Sequence, residues 1–187
     1  MNSCVRAVLD LVSAIVPADD LEARDRAGTL AWLRETDDVF RRVRPATPPR
    51  HLVSYVVPVD PADGRVLLVA HRNAGLWLPP GGHVEPGEHP ADTARRELAE
   101  ELGVTGAAAR PSFVTVTRTV GLDAGHTDVS LWFTADLSRS AALSPDAAEF
   151  AGVRWWSRAE IDAADPAGFD PHLGRFLTKT GLSWRSR

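Results

Sequence analysis

The stretch GGHVEPGEHPADTARRELAEELGV, residues 81–104, decides the fold, because it joins a glycine-rich turn to a helix of unusual charge. Pro90 suits the first turn of a helix and Gly103 suits a left-handed cap at its end, so the sequence predicts a helix from about Pro90 to Leu102. Apolar residues at helical spacing form its predicted buried stripe. These residues are Ala91, Ala94, Leu98 and Leu102.

The last two turns of this helix carry Glu97, Glu100 and Glu101 on one surface, since these residues are three and four positions apart. A solvated helix face with ion pairs is the ordinary explanation of such a charge run. Here, however, the acids lie at the negative end of the helix dipole, where cations are favoured. At an effective dielectric constant near 20, two unit charges 4 Å apart repel by about 4 kcal/mol. A countercharge is needed, and carboxylate oxygens favour Mg2+ or Mn2+.

The residues before the helix fit the same interpretation. Two prolines lead stiffly into Gly81 and Gly82, where missing side chains let the backbone approach a metal ion or a phosphate. Magnesium keeps several waters and is often shared with substrate phosphates, so a polyphosphorylated substrate is expected. Glu88, eight residues before Arg96, either holds that guanidinium in a fixed fork or only caps the helix start.

The whole chain has the size and composition of one domain. It has 187 residues, of which 44% are hydrophobic, enough for a sizeable core. A formal net charge of -4, with no run of Lys or Arg, argues against binding to duplex nucleic acid. The single cysteine, Cys4, excludes an internal disulfide, and Arg6 and Asp10 interrupt the apolar N-terminal run. We therefore expect a cytoplasmic protein with no membrane partner.

The N-terminal residues are expected to form two helices. Apolar side chains recur at roughly helical spacing from Ser3 to Val16, where Pro17 ends the first helix. The second helix is expected to begin near Ala18, because acidic residues follow in its first turn.

The second helix and the linker after it set the predicted domain boundary. Positive side chains favour a helix C-terminus, so the helix is expected to end at Arg41, Arg42 and Arg44. Three prolines in the segment Pro45–His51 then predict a stiff linker. The chain thus divides into a helical extension, residues 1–45, and a main domain, residues 46–187.

The main domain combines strands with the central helix. Apolar, β-branched runs at residues 51–59 and 65–70, joined by a turn that ends in Gly64, predict two neighbouring strands. Further strand-like runs follow the helix at residues 113–120, 129–137 and 153–157. A final helical region is expected to begin near Arg158. Strands on both sides of a helix predict a mixed α/β domain.

Taken together, residues 82–104 resemble the signature of the Nudix hydrolases. That signature is G, five residues, E, seven residues, R-E-U, one residue, E-E, one residue, G-U, where U is a bulky aliphatic residue. Every fixed position is met, which makes the match specific. The matching residues are Gly82, Glu88, Arg96, Glu97, Leu98, Glu100, Glu101, Gly103 and Val104. The resemblance extends more weakly from about His51 to Ile161 and does not reach the N-terminal helices.

This resemblance implies a fold and a reaction. The implied fold is an α/β/α sandwich around a mixed sheet. The implied reaction is the magnesium- or manganese-dependent hydrolysis of a nucleoside diphosphate linked to another group. Such a substrate is a nucleoside triphosphate, oxidised or ordinary, or a nucleotide sugar. A metal-activated water attacks a phosphorus atom in this chemistry. The alternative is a catalytically silent Nudix-fold sensor or binding module, against which the intact set of acids argues.

The resemblance also implies roles for individual residues. The implied metal ligands are the Gly81 carbonyl, Glu97, Glu100 and Glu101. Arg96 and Glu88 would orient these ligands. The motif leaves the general base open between Glu97 and Glu149, which precedes a predicted strand in a region where related enzymes often place a catalytic acid.

Three further expectations lie outside the motif. His126 and Asp128 share a face of a predicted strand and are candidates for contact with the substrate phosphate or base, although each could be an ordinary loop or edge residue. The N-terminal helices could form a homodimer interface or cover the active site. Trp32 and Leu33 would then be contact residues, unless they pack in the local core.

Overall fold

The fold is a mixed sheet with helices on both faces. The structure is a computed structural model that describes residues 2–44, 46–105, 111–119 and 125–182. Its helices are α1 Ser3–Ala14, α2 Asp20–Glu35, α3 Pro90–Leu102, α4 Arg158–Ala163 and α5 Leu173–Thr180, with a 3-10 turn at Pro166–Gly168. Its strands are β1 Arg50–Val59, β2 Val66–His71, β3 Leu76–Leu78, β4 Gly81–His83, β5 Phe113–Arg118, β6 Thr127–Asp136 and β7 Phe150–Trp156.

Strand β1 lies at the centre of the sheet. The main path runs β3-β2-β1-β6-β5, while β4 pairs with β1 and β7 pairs with β2. β1 pairs in parallel with β6 over its whole length, and antiparallel with β2 and β4. The pairing with β4 is what brings the glycine turn at residues 81–82 onto the middle of the sheet.

The two faces of the sheet bury separate sets of side chains. On β1, Leu52 and Val56 pack with the cluster that includes α1, α2 and α3, whereas Val57 packs with α4 and α5 on the other face. This alternation follows from the two-residue period of a strand. The expected α/β/α sandwich around a mixed sheet is confirmed.

The N-terminal helices differ in length from the prediction. α1 ends at Ala14 rather than Val16. The residue before a proline is pushed towards an extended backbone, and Val16 precedes Pro17. Leu33 is buried in the protein's own core and Trp32 packs partly against it, which agrees with local packing, while a homodimer interface through these helices stays a prediction. Whether residues 1–45 form a separable unit stays a prediction.

The predicted end of α2 was wrong. The helix ends at Glu35, because Thr36 has an extended backbone and its hydroxyl accepts a hydrogen bond from the Asp38 N–H at 3.0 Å. The three arginines therefore follow the helix and line a cleft instead of capping it. They are Arg41, Arg42 and Arg44. Of the predicted linker, Pro45 lies outside the described residues, while Arg50 and His51 already belong to β1.

The strands were predicted with two omissions. β3 and β4 were expected to be part of a stiff turn, but they form three-residue strands on either side of the two prolines. β5 ends at Arg118, and the end of its predicted range, Val120, lies outside the described residues.

Among the described residues, no helix combines the length and the apolar character needed to cross a membrane.

Candidate active site

A large cleft lies between the end of α3, strand β4 and the loop that precedes β7. Its volume is ≈ 710 Å³. The predicted site residues that line it are Gly81, Arg96, Glu97, Glu100, Glu101, His126, Asp128 and Glu149. Glu88 accepts hydrogen bonds from Arg96, which lines the cleft. The structure thus brings the predicted site residues to one place, while their roles in catalysis stay predictions.

Helix α3 has the bounds and cap that the sequence predicts. It spans Pro90–Leu102 and ends at Gly103, whose φ of 68° is the left-handed conformation that glycine adopts at low cost. The buried residues of its apolar stripe are Ala94, Leu98 and Leu102. The burial of the next face was not predicted: Glu97 and Glu101 are also largely buried, although both line the cleft.

Arg96 organises the acidic face of α3. Its Nε and one Nη donate to the two carboxylate oxygens of Glu88 at 3.0 and 3.1 Å, which is the fork that the spacing predicts. Its other Nη donates to Glu97 at 2.8 Å and to Glu100 at 3.0 Å. These carboxylates, Glu88 above all, raise the pKa of Arg96. Arg96 therefore supplies part of the countercharge that the acids need.

Glu97 and Glu101 carry the most perturbed carboxyl groups of the cleft. Only 8% of Glu97 and 5% of Glu101 is exposed. Burial raises the pKa of Glu97 to about 7, although Arg96 opposes the shift. Burial raises the pKa of Glu101 to about 9, and the charges of Glu97 and Glu149 add to it. Glu101 is thus surrounded by acids, and an added cation would favour its ionised form.

The glycine turn brings bare backbone against these carboxyl groups. A Cβ atom on Gly82 would lie 2.2 Å from Glu97 Oε1, so any side chain there would displace the carboxyl group. The Gly81 N–H donates to Glu101 Oε2 at 3.2 Å. The close backbone approach that the paired glycines predict is therefore present, and its partners are Glu97 and Glu101.

Glu149 faces the same carboxyl groups from the loop before β7. Its charge raises the pKa values of Glu97 and Glu101. Its Oε1 lies 3.2 Å from His71 Nε2, at the end of β2, and 44% of its side chain is exposed. Glu97 and Glu149 both remain candidates for the general base.

His126 and Asp128 meet two histidines that sequence reasoning missed. Asp128 Oδ1 lies 3.2 Å from His51 Nε2, 3.3 Å from His126 Nε2 and 3.7 Å from His83 Nε2. The strand register explains the meeting, because His51 is the partner of Asp128 in the β1–β6 ladder and β4 places His83 beside β1. No local sequence pattern connects these four positions, so only the sheet topology could reveal them.

Asp128 and the histidines around it shift each other's pKa values. Burial by itself would raise the pKa of Asp128, but the adjacent imidazoles of His51 and His83 outweigh it and hold the pKa at about 2. Burial lowers the pKa of His83 and so favours its neutral form. Asp128 is thus a carboxylate among imidazoles, a different environment from the crowded acids of α3.

The oxygen donors at the end of α3 fit a hard divalent ion. Glu97, Glu100 and Glu101 are carboxylates on one helix surface, and Arg96 neutralises only part of their charge. Glu101 has neighbours that disfavour its ionised form. Oxygen donors of this kind are those that Mg2+ and Mn2+ prefer. The residues present therefore suit the metal that the motif implies.

The fold and this cleft define a class of α/β proteins with an acidic, glycine-bordered cleft, and comparison with known proteins identifies the family. A family model described as NUDIX domain matches residues 49–179, well over half of the chain. The chain belongs to the Nudix family, as the signature predicts. A solved hydrolase of the NUDIX family from Clostridium perfringens superposes with a TM-score of 0.55 at 24% identity, covering 71% of this chain and 96% of that one. This likeness shows the shared fold.

Two curated relatives are similar in sequence over part of their length. A putative 8-oxo-dGTP diphosphatase from Bacillus subtilis is 33% identical over 104 residues, which is 52% of this chain and 60% of the relative. An uncharacterized Nudix hydrolase, orf19, from Rhodococcus erythropolis is 34% identical over 86 residues, 44% of this chain and 46% of the relative. The chain thus matches about half the length of these relatives.

Proposed function

We propose that the protein is a magnesium-dependent pyrophosphohydrolase that cleaves a nucleoside diphosphate linked to another group. The observation that carries this proposal is the pair of buried carboxyl groups, Glu97 and Glu101, whose raised pKa values mark a cleft wall lacking sufficient positive charge. Mg2+ or Mn2+ bound there would polarise the diphosphate and lower the pKa of the attacking water. The name of the Bacillus subtilis relative supports a nucleoside triphosphate as the substrate class.

The side chains around the metal ligands have positioning roles in this proposal. Glu88 holds Arg96 through two hydrogen bonds, and Arg96 in turn holds Glu97 and Glu100. This chain of contacts fixes the carboxyl groups before substrate arrives, which lowers the cost of reorganisation during the reaction. Glu100 is the most accessible of the three, with 60% of its side chain exposed, so it can reach a second ion or a bound water.

A polyphosphate also suits the arginines that line the cleft. Arg41, Arg42 and Arg44 line the cleft from the segment between α2 and β1. Arg42 forms a two-pronged pair with Asp38, at 2.8 and 3.0 Å, which holds its guanidinium in place. Positive charge in the same cleft as the proposed metal-binding acids favours a substrate with several phosphates.

The test is a hydrolysis screen with the complete chain. Nucleoside triphosphates, oxidised nucleotides, dinucleoside polyphosphates and nucleotide sugars are each incubated with Mg2+, and released monophosphate or phosphate is measured. We expect one class to be cleaved with a rate that depends on Mg2+ and is lost in Glu101→Gln. If substrates bind in calorimetry but none is cleaved, the alternative of a silent sensor or binding module is correct.

The general base is tested by two matched substitutions. In Glu149→Gln, loss of a base lowers kcat while the affinity for Mg2+ stays the same, because Glu149 is not in the metal set. In Glu97→Gln, loss of a metal ligand weakens Mg2+ binding as well. If Glu149→Gln leaves kcat unchanged over the whole pH range, Glu149 is excluded as the base and Glu97 remains.

A further inference from the structure

We infer that His51, His83, His126 and Asp128 form a second metal site, specific for a zinc-like transition metal and separate from the acidic site on α3. Candidate ligand atoms of these four residues all lie within 4.8 Å of one another. Three imidazoles and one carboxylate are a donor set that suits Zn2+, whereas Mg2+ prefers oxygen ligands alone. We call this group the histidine cluster.

Three of the six ligand-to-ligand distances in the histidine cluster match a tetrahedral site. Zinc bonds to nitrogen and oxygen of about 2.0–2.2 Å give ligand-to-ligand edges of roughly 3.3–3.6 Å. Asp128 Oδ1 lies 3.2, 3.3 and 3.7 Å from the Nε2 atoms of His51, His126 and His83. The candidate ligand atoms of the imidazoles also lie within 4.8 Å of one another, so one ion could draw them together.

His51 gives the strongest argument for a cation. Its side chain is completely buried, and its Nδ1 lies 2.7 Å from the Pro48 carbonyl oxygen. A carbonyl oxygen can only accept, so Nδ1 carries the proton and donates. The Nε2 of neutral His51 then presents a lone pair to the carboxylate of Asp128, which is an unfavourable contact between two acceptors. A cation between them turns both into ligands, and the bond to Pro48 is the outer contact that typically orients a metal-binding histidine.

The hydrogen-bond geometry points the same way. Within the described residues, His51 Nε2, His83 Nε2 and Asp128 Oδ1 are buried and form no hydrogen bond of acceptable geometry, although they lie close together. Buried polar atoms are seldom left in this condition, and an ion is one of the accepted explanations. Protonation of His51, with His83 and His126 carrying their proton on Nε2, is the other explanation and agrees with the low pKa of Asp128; Zn2+ binding, measured below, distinguishes the two.

The position of the histidine cluster indicates a structural role. Four protein ligands would fill a tetrahedral ion, which leaves no open position for a substrate. The ligands come from β1, from β4 and from the start of β6 with the residue just before it. The carbonyl of His83 also accepts a hydrogen bond from Arg96 at 3.2 Å. Zinc would thus tie together three strands beside the glycine turn and fix the backbone that Arg96 contacts.

The test measures Zn2+ binding by the complete chain, expressed without a histidine tag and stripped with a chelator. Zinc is titrated against a chromophoric chelator in excess Mg2+, which occupies the acidic site. We expect one tightly bound Zn2+ per chain and a rise in Tm on binding. Co2+ in its place should give the visible absorption bands of a tetrahedral site. Wild type that binds no Zn2+ under these conditions overturns the inference.

Two substitutions and one matched control locate the ion. His83→Asn should weaken Zn2+ binding by more than about 100-fold, since loss of a ligand costs more than loss of an outer contact. His89→Asn is the control, because His89 caps α3 outside the cluster and asparagine is also a good cap. Asp128→Asn is a second test should His83→Asn fold poorly. Equal Zn2+ affinity in the cluster variants and the control overturns the inference.

A last variant separates the histidine cluster from the proposed active site. Glu97→Gln combined with Glu101→Gln should abolish hydrolysis and still bind one Zn2+ with unchanged affinity. Loss of Zn2+ in this variant would place the ion in the acidic site and end the proposal of a second site. If the wild type binds Zn2+ but hydrolyses none of the tested substrates, the zinc site is supported and the proposed function is wrong.

Discussion

Two buried glutamates in two regions of the protein have opposite surroundings. Glu22, near the start of α2, is fully buried, accepts a hydrogen bond from the Ala18 N–H at 2.8 Å, and pairs with Lys179 Nζ at 2.5 Å. Glu101, near the end of α3, is also buried, but its neighbours Glu97 and Glu149 are acids. The Gly81 N–H donates to Glu101 at 3.2 Å, but this hydrogen bond does not outweigh the burial and the neighbouring acids that raise the pKa of Glu101.

This difference distinguishes Glu22, an acid paired within the fold, from Glu101, the proposed metal ligand. A buried charge is tolerated when a partner satisfies it, as Lys179 of α5 satisfies Glu22 and so joins the N-terminal helices to the last helix. A buried acid whose neighbours disfavour its ionised form lowers stability, and under the proposed function an external cation offsets that cost. The same residue type is therefore informative only together with its neighbours.

The largest expected effect is that of Glu101→Gln. We expect kcat/KM to fall by about 10³-fold, roughly 4 kcal/mol of transition-state stabilisation, because a metal ligand is lost. We also expect the Tm of the metal-free protein to rise at pH 7, since the amide removes the cost of keeping a buried carboxyl group protonated above its ordinary pKa. Steady-state kinetics and thermal unfolding in a chelator measure the two effects. A lower metal-free Tm with activity retained would contradict the assignment of the site.

The same change at the other buried glutamate should have the opposite sign. Glu22→Gln leaves Lys179 largely buried beside a neutral partner, so we expect a loss of about 3 kcal/mol in the free energy of unfolding. Activity of the folded fraction should be retained, because neither residue lines the cleft. Denaturant unfolding at pH 7 measures the loss. If Glu22→Gln and Glu101→Gln shift stability in the same direction, the contrast between the two regions is wrong.

The sequence predicted the acidic site better than its surroundings. The spacing of Glu97, Glu100 and Glu101 on a helix, the cap at Gly103 and the fork between Glu88 and Arg96 depend on local geometry, which sequence periodicity reports directly. The β-branched runs predicted strands in an α/β domain, whereas the mixed sheet was implied by the resemblance to the Nudix hydrolases. Local rules therefore sufficed wherever the interacting residues lie within one or two helical turns of each other or are part of a recognisable motif.

The missed features depend on contacts between distant parts of the chain. His51 and His83 join Asp128 only because β1 lies between β4 and β6. The end of α2 depends on a competing hydrogen bond at Thr36, which propensity and dipole arguments do not contain. The burial of Glu97 and Glu101 also follows from packing against the glycine turn. None of these can be deduced from spacing alone.

The two regions should also differ in how stability depends on pH. The folded-state pKa values of about 7 for Glu97 and about 9 for Glu101 lie above the ordinary glutamate value of 4.5. Their contribution to stability is therefore fully present below about pH 4.5 and is lost as pH rises through 7 and 9. We expect the metal-free protein to lose several kcal/mol of stability between pH 5 and 9, because one pKa unit corresponds to about 1.4 kcal/mol. Unfolding curves at several pH values, with and without Mg2+, measure this loss.

Variants and metal serve as the controls for that measurement. Glu101→Gln should flatten the decline, and saturating Mg2+ should do the same, because it favours the ionised carboxylates. Glu22→Gln should lower stability at every pH in this range without changing its slope. A metal-free wild type whose stability rises from pH 5 to 9 would show that the carboxyl groups of α3 are ionised and satisfied without a cation.

The smallest effect is expected at a third buried acid, whose surroundings are intermediate between the first two. Asp170 has no acidic neighbour shifting it, and burial raises its pKa to about 6 although the His172 N–H donates to it at 2.7 Å. Asp170→Asn keeps an acceptor for that bond and removes the charge. We expect a stabilisation on the order of 1 kcal/mol above pH 6 and none below about pH 4, since the protonated acid and the amide are then similar. Thermal unfolding at pH 4 and pH 8 measures the difference, and a destabilisation at pH 8 would mean that a cation already offsets Asp170 in the folded protein.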